Sequence, residues 1–313
     1  MTLFYEYSYI FTQCGFVSTS IANTLFIYLT ILHIKKITGT YKVMVLVFSF
    51  IGLFFSAWEL VSRPFCHNYN KALMYFSLNT WLAEYPEFLR IAIGIYAALY
   101  IVILAIIAVQ FLFRYFTLCQ QNFARKFGGT GVIVWMFYVF LSGSIYAGTM
   151  HVFCGSDEFS DSYMRWGVIK FLLSGVAIIA LQYLIIIYCG VSMHNVLQKE
   201  FAQQSVVNRK LQKQFFRALV VQTIVPTFLF VLPIAPFLIG PLIQPFFLFE
   251  MNFETGWMYV ILCLYPPIDT IAFMLIVSEY KTATLEMFKP VLPKGVKVTS
   301  EISTSTAAAV TRQ

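Results

Sequence analysis

Glu59 and Asp269 are the only carboxylates inside the long apolar stretches of this 313-residue chain, so any chemistry there would start with them. They stand far apart in the sequence and form no acid–base couple at helical spacing. The chain has no HExxH, no GxSxG and no glycine-rich phosphate loop, and an enzyme is not expected. His33, His67, His151 and His194 fall near the ends of apolar stretches or between them. The six cysteines form neither CxxC nor a His/Cys cluster, so no metal and no cofactor is expected. Cys66 and Cys154 lie in two connecting loops on one side and are candidate disulfide partners. Cys14, Cys119, Cys189 and Cys263 read as packing residues, with Cys119 and Cys189 as candidate palmitoylation sites.

Each charged residue in or beside an apolar stretch has a plain reading and a functional one. Glu59 precedes Arg63 by four residues, the favourable order for a helical ion pair that would close a helix end; contact with a ligand is the alternative. Asp269 follows Tyr265-Pro266-Pro267, and an acid at membrane depth needs a partner. It is expected either in a polar cluster that rearranges on activation or in a passive hydrogen-bonded contact. Arg114 closes the run Ile91–Phe113, in which Gln110 is the one strongly polar residue, and Arg90 opens it. At ~1.5 Å per residue the run is about 34 Å long, enough for a hydrocarbon core of ~30 Å. An arginine at mid-membrane costs at least ~2.5–3.5 kcal/mol, so Arg90 and Arg114 mark the two faces. By spacing alone Arg114, followed by Tyr115 and Phe116, reads as a snorkelling interfacial residue. Lys170 can reach back in the same way toward Asp157, Glu158 and Asp161.

The elements that must hold these residues are membrane helices. With 59% of residues hydrophobic and 11% charged, the chain is a polytopic membrane protein. Apolar spans are expected over about 14–34, 42–62, 90–113, 131–150, 167–191, 216–240 and 257–278, making the fold an all-α membrane protein built as a seven-transmembrane helix bundle. No cleavable signal is visible at the N-terminus, so the first span is expected to direct its own insertion. Pro226, Pro233 and Pro236 fall in the sixth span, where neighbouring groups must repair the lost backbone bonds.

Sixteen of the 21 Lys and Arg gather on one side if the N-terminus is outside, while Glu6, Glu84, Glu87, Glu250 and Glu254 lean to the other. The net charge of +7 is therefore a cytoplasmic-face charge, with the bilayer as partner and no nucleic acid. Residues 192–215 read as helical extensions of spans five and six into the cytoplasm. Residues 1–285 are expected to form one seven-transmembrane domain, and 286–313 a disordered cytoplasmic tail. Its hydroxyls, from Thr299 to Thr311, could take phosphate.

Seven spans with a basic third inner loop suggest a G-protein-coupled receptor. Gly39-Thr40-Tyr41-Lys42, then Glu59 and Arg63-Pro64 with His67, resemble the nematode serpentine chemoreceptors of the Str superfamily. So do Val109 to Tyr115, Leu211 to Leu219 running into Gln222-Thr223-Ile224-Val225-Pro226, Tyr265 to Asp269, and Glu279-Tyr280-Lys281. Gln110, Phe113, Thr270 and Lys281 depart from the family's usual residues. The resemblance covers about residues 20 to 285 and includes the nematode odorant receptors. It implies an olfactory-type receptor in the plasma membrane, in the cilium of a sensory neuron. It also implies a small-molecule odorant or soluble chemical cue as ligand, and a heterotrimeric G protein as partner. On that resemblance Arg114 receives the Gα C-terminus, Tyr115, Arg209, Lys210 and Lys213 flank the crevice, and Pro226 and Asp269 belong to a switch in spans six and seven.

Depth and residue type place a ligand among Tyr96, Tyr100, Phe171, Phe230, Trp257 and Tyr259. The third span carries no acid, so a small neutral or weakly polar ligand is expected, and a protonated amine only if Glu59 serves. A seven-span ion channel or transporter, or a non-signalling partner that traffics other receptors, is the alternative reading.

Overall fold

In the computed structural model, which describes residues 2–34, 39–69, 72–153, 166–199, 206–243, 252–254 and 256–288, the third span is the axis. This helix, α3 (Pro86–Cys119), follows α1 (Thr2–Tyr28) and α2 (Gly39–Ser62). Every residue from Ile101 to Phe111 is buried, as a helix apolar on all sides must be. Beyond it come the short α4 (Gln121–Arg125), α5 (Gly131–Phe153), α6 (Trp166–Lys199), α7 (Val206–Pro226), α8 (Leu232–Ile243), α9 (Gly256–Ile276) and α10 (Ser278–Phe288). α5, α6 and α2 pack around α3, while α9 lies between α1 and α7. The sixth span is composite: α7 and α8 are joined by a π-helical turn, Thr227–Val231. Among the described residues, seven helical segments are long and apolar enough to cross a membrane.

The outward faces bear this out. On α5, Ile133, Val134, Phe137, Phe140 and Leu141 are exposed; on α6, Leu181, Leu184, Ile187, Tyr188 and Val191 are. The spacing is helical but the apolar side faces out, the inverse of a water-soluble bundle and the pattern a lipid solvent selects. Helices outrun the apolar spans chiefly at three places. α1 begins at Thr2, α3 runs on to Cys119, and α6 continues to Lys199, the last of these as the expected extension of span five.

Small residues set the closest helix approaches. A Cβ on Gly143 of α5 would lie 2.7 Å from the Val102 methyl and 3.1 Å from the Ala98 carbonyl oxygen, both on α3. A Cβ on Gly148, farther along the same helix, meets nothing within 4 Å. Gly143→Leu should therefore force α5 off α3, costing about 1–3 kcal/mol, and lower the melting temperature of the detergent-solubilised protein. Gly148→Leu should leave it unchanged. Equal melting of the two variants would show that α5 does not seat on α3 at Gly143.

One end of the bundle carries a sheet, the one non-helical feature among the described residues. β1 (Pro64–Tyr69) pairs antiparallel with β2 (Ala72–Ser77), from Pro64 opposite Ser77 to Tyr69 opposite Ala72. β3 (Asn252–Glu254), between α8 and α9, adds to the other edge of β1. The hairpin is tied to the end of α2, whose last carbonyls need donors. Ser77 Oγ donates to the Ser62 carbonyl (2.6 Å) and Asn79 Nδ2 to the Val61 carbonyl (2.7 Å). Asn79 Oδ1 accepts from the backbone N–H groups of Trp81 and Leu82. Arg63 makes the turn out of α2 with φ of +37°, a conformation uncommon outside glycine. At the opposite end α10 folds back on α1, where Tyr280 stacks on Phe26 (4.8 Å) and its hydroxyl meets Thr30 Oγ1 at 2.7 Å.

Candidate functional site

Near the α10 end of α3, Arg114 is buried rather than turned out to an interface. Its guanidinium carbon lies 3.6 Å from the centroid of the Tyr41 ring of α2 and 4.3 Å from that of Phe215 on α7. The two rings meet edge to face at 5.2 Å, and Phe113 stacks beyond Tyr41. No carboxylate among the described residues pairs with Arg114, so aromatic faces hold the cation. Tyr115 packs against Tyr188 of α6. Lys213 and Arg217 are exposed on α7, while Phe215, Ala218, Leu219 and Gln222 form its buried face. Arg209 and Lys210 lie in the first turns of the same helix. Ser278 Oγ, at the start of α10, donates to Gln214 Oε1 (3.0 Å) and clips α10 to α7.

Midway along the bundle a polar seam runs through α9. Gln222 Nε2 donates to Asp269 Oδ2 at 3.4 Å, and Thr270 Oγ1 donates to Asn23 Oδ1 of α1 at 3.0 Å. The seam is only half satisfied. Asp269 Oδ1, Gln222 Oε1 and the Tyr265 hydroxyl are buried without a hydrogen bond among the described residues, as are both amide atoms of Gln110 on α3. Buried polar groups in that state are costly, and a rearrangement that satisfied them would be favoured. Beside the seam, Pro226 supplies no N–H, and the following π turn absorbs the break. Thr227 Oγ1 donates to the Thr223 carbonyl (2.6 Å) and meets the Tyr183 hydroxyl of α6 (2.7 Å), so hydroxyls steady the interrupted backbone.

Toward the sheet end an aromatic cluster fills the bundle. Phe230, on the π turn, lies 3.8 Å from Tyr100 and 5.3 Å from Tyr265, centroid to centroid. Phe55 of α2 stacks on Tyr96 (5.1 Å) and touches Tyr100 and Phe230. The Tyr100 hydroxyl donates to that of Tyr96 (3.2 Å). Of the residues expected to line a ligand site, Tyr96, Tyr100 and Phe230 therefore stand together. Tyr259 lies nearby, stacked on Phe65 of β1 at 5.9 Å. Phe171 sits in a separate group with Tyr146, Ala97, Ile101 and Leu172. Trp257 is 44% exposed at the start of α9. Phe55 and Tyr265 complete the cluster, and neither is among the residues expected to line it. Phe55 was legible as the residue one helical turn before Glu59.

Between this cluster and the sheet is a small cavity lined by Thr12, Glu59, Arg63, Pro64, Phe65, Leu78 and Tyr259. The expected Glu59–Arg63 ion pair is not formed. α2 ends at Ser62, Arg63 turns at positive φ, and its guanidinium lies over the Tyr9 ring of α1, 4.6 Å from the centroid. Glu59 is 2% exposed, and neither of its oxygens has a hydrogen bond among the described residues. The side chain of Cys66, and Cys154 altogether, lie outside the described residues, as does the tail from 289.

A bundle of seven spans, its axial helix ending in a buried arginine, is the architecture of a G-protein-coupled receptor. Squid rhodopsin shares the fold, with a TM-score of 0.60, 14% sequence identity, and coverage of 93% of this chain and 87% of that one. Residues 8–173 and 162–285 match the family described as serpentine type 7TM GPCR chemoreceptor Str. The G-protein coupled receptor str-33 of Caenorhabditis elegans is 34% identical over 311 residues, covering 88% of this chain and 89% of that protein. Serpentine receptor class r-10 of the same nematode is 23% identical over 282 residues, with 79% and 80% covered. The chain belongs to the Str family of serpentine chemoreceptors.

Proposed function

We propose that the chain is a chemosensory receptor that binds a small molecule toward the sheet end of the bundle and activates a heterotrimeric G protein at the α10 end. The observation that carries this reading is the cage around Arg114. A cation held by rings of α2 and α7 is closed off while α7 lies against α3, and is uncovered when α7 moves away. The interrupted sixth span gives α7 a place to pivot, and the half-satisfied contact between Gln222 and Asp269 is the link that such a motion would remake. A ligand drives the change only by binding the open state better than the closed one.

Orientation follows from charge. Lys42, Arg114, Arg125, Lys126, Lys213, Arg217 and Lys281 lie toward the α10 end, which the positive-inside rule assigns to the cytoplasm, and the sheet then faces outward. An arrestin acting on the tail hydroxyls, and a ciliary location, are further parts of the same reading.

Reconstitution tests it. The protein in nanodiscs should accelerate guanine-nucleotide exchange on purified heterotrimers, and an N-terminal epitope should stain on unpermeabilised cells. Current or solute flux through the purified protein with no effect on exchange would sink the receptor reading in favour of a channel or transporter. Both termini on one side would overturn the seven-span orientation.

A further inference from the structure

We propose that Glu59 is the polar anchor of the ligand site, and that the ligand is a small molecule carrying a protonated amine on an apolar body. The inference rests on the receptor reading above and names the class of ligand. The absence of an acid from α3 favours a neutral ligand on sequence grounds, but the structure brings an acid to the same place from α2.

Glu59 is a buried carboxyl with two oxygens unpartnered among the described residues, and it lines a cavity of about 10 Å³, room for an ammonium group and no more. A group in that state opposes folding, and proteins retain such groups where they act on something that arrives later. The cavity's other walls fit an ammonium. The Phe65 and Tyr259 rings, stacked on each other, line it together with the carboxyl, and Thr12 adds a hydroxyl side chain. A carboxylate with aromatic faces around it gives a desolvated cation both a counter-charge and π-faces. Arg63 lines the same cavity, but its guanidinium lies on the Tyr9 ring and forms no ion pair with Glu59.

The second half of the ligand is placed by the helix. Phe55 lies four residues before Glu59 on the same face of α2 and stacks on Tyr96. The hydrocarbon of an amine on Glu59 would have to part the rings of Tyr96, Tyr100 and Phe230, which touch one another in this structure, and Phe230 sits on the π turn. The polar end would fix the ligand, and the apolar end would bear on the hinge.

The test reads binding without a G protein. The purified receptor in nanodiscs is melted with and without millimolar phenethylamine, cyclohexylamine or isoamylamine, and with the matching alcohols. At least one amine should raise the wild-type midpoint by about 2–4 °C, as saturating ligands do, with no rise from its alcohol. Glu59→Gln and Glu59→Met should abolish the shift while melting unliganded at or above the wild-type temperature. The proposal is overturned if no amine outdoes its alcohol, or if the shift survives in Glu59→Gln. It is equally overturned if both variants melt lower or fail to fold, which would make Glu59 structural. Amine-specific, Glu59-dependent shifts without nucleotide exchange would instead remove the receptor reading and leave the site.

Discussion

Arg114→Gln is expected to abolish G-protein activation, lowering stimulated nucleotide exchange by about 100-fold with surface expression retained. The size follows from the role. An interface hot-spot arginine costs ~2–4 kcal/mol when truncated, and each 1.4 kcal/mol is tenfold. The mirror-image change sharpens the result. Phe215→Leu keeps an apolar side chain on the buried face of α7 but removes one of the two rings that hold the guanidinium. A cation–π contact is worth ~0.5–2 kcal/mol, so losing it from the resting state should raise ligand-independent exchange about fivefold. Tyr41→Leu should act in the same direction through the other ring. If Phe215→Leu left basal exchange unchanged while Arg114→Gln abolished stimulation, the arginine would act in coupling and its cage would restrain nothing.

Phe230→Ala is expected to be the most damaging change in the aromatic cluster. The ring touches α2 through Phe55, α3 through Tyr100 and α9 through Tyr265, and it sits on the π turn itself. Deleting a buried phenylalanine side chain costs about 3–5 kcal/mol, partly as a cavity. The melting midpoint should fall by several degrees, and the dose–response to an activating ligand should weaken at least tenfold. Phe230→Leu should recover most of the stability and less of the response, because Leu fills space without presenting a ring. Equal recovery of both would mean that Phe230 packs the bundle and plays no part in recognition. Alanine at Tyr100 should behave like Phe230→Ala, whereas alanine at the more exposed Trp257 tests whether the site extends that far along α9.

The spans were readable because their signal is long: twenty or so apolar residues bounded by charges leave little choice but a membrane helix. Their ends were less readable. The extension of span five over Gln, Asn and Ser is legible and α6 does run on to Lys199, but hydropathy does not mark the start of α1 at Thr2 or the end of α3 at Cys119. The sheet was not anticipated, since strands of six residues in a connecting loop carry a weak pattern, and β3 comes from a segment almost 190 residues later. The site divided the same way. Tyr96, Tyr100 and Phe230 come together because they lie at like depth in their spans, and depth is a sequence property. Which way a side chain faces around the helix is set by packing, and so Phe171 fell in another group. Glu59 was misjudged for a local reason. The i,i+4 rule holds only while the helix continues, and α2 stops one residue before Arg63.

The π turn at Thr227–Val231 has a geometric corollary for how the sixth span is keyed. Eight residues separate Gln222 from Phe230, and an unbroken α-helix at about 100° per residue would set them roughly 80° apart in azimuth. Lodging one surplus residue in the wide turn brings them to within about 20°, so both can point to the bundle axis, as their burial shows. The span thus works like a rod with a slipped thread. Were the surplus residue to migrate or be expelled, everything on one side of it would rotate against everything on the other, with no need to bend the whole length.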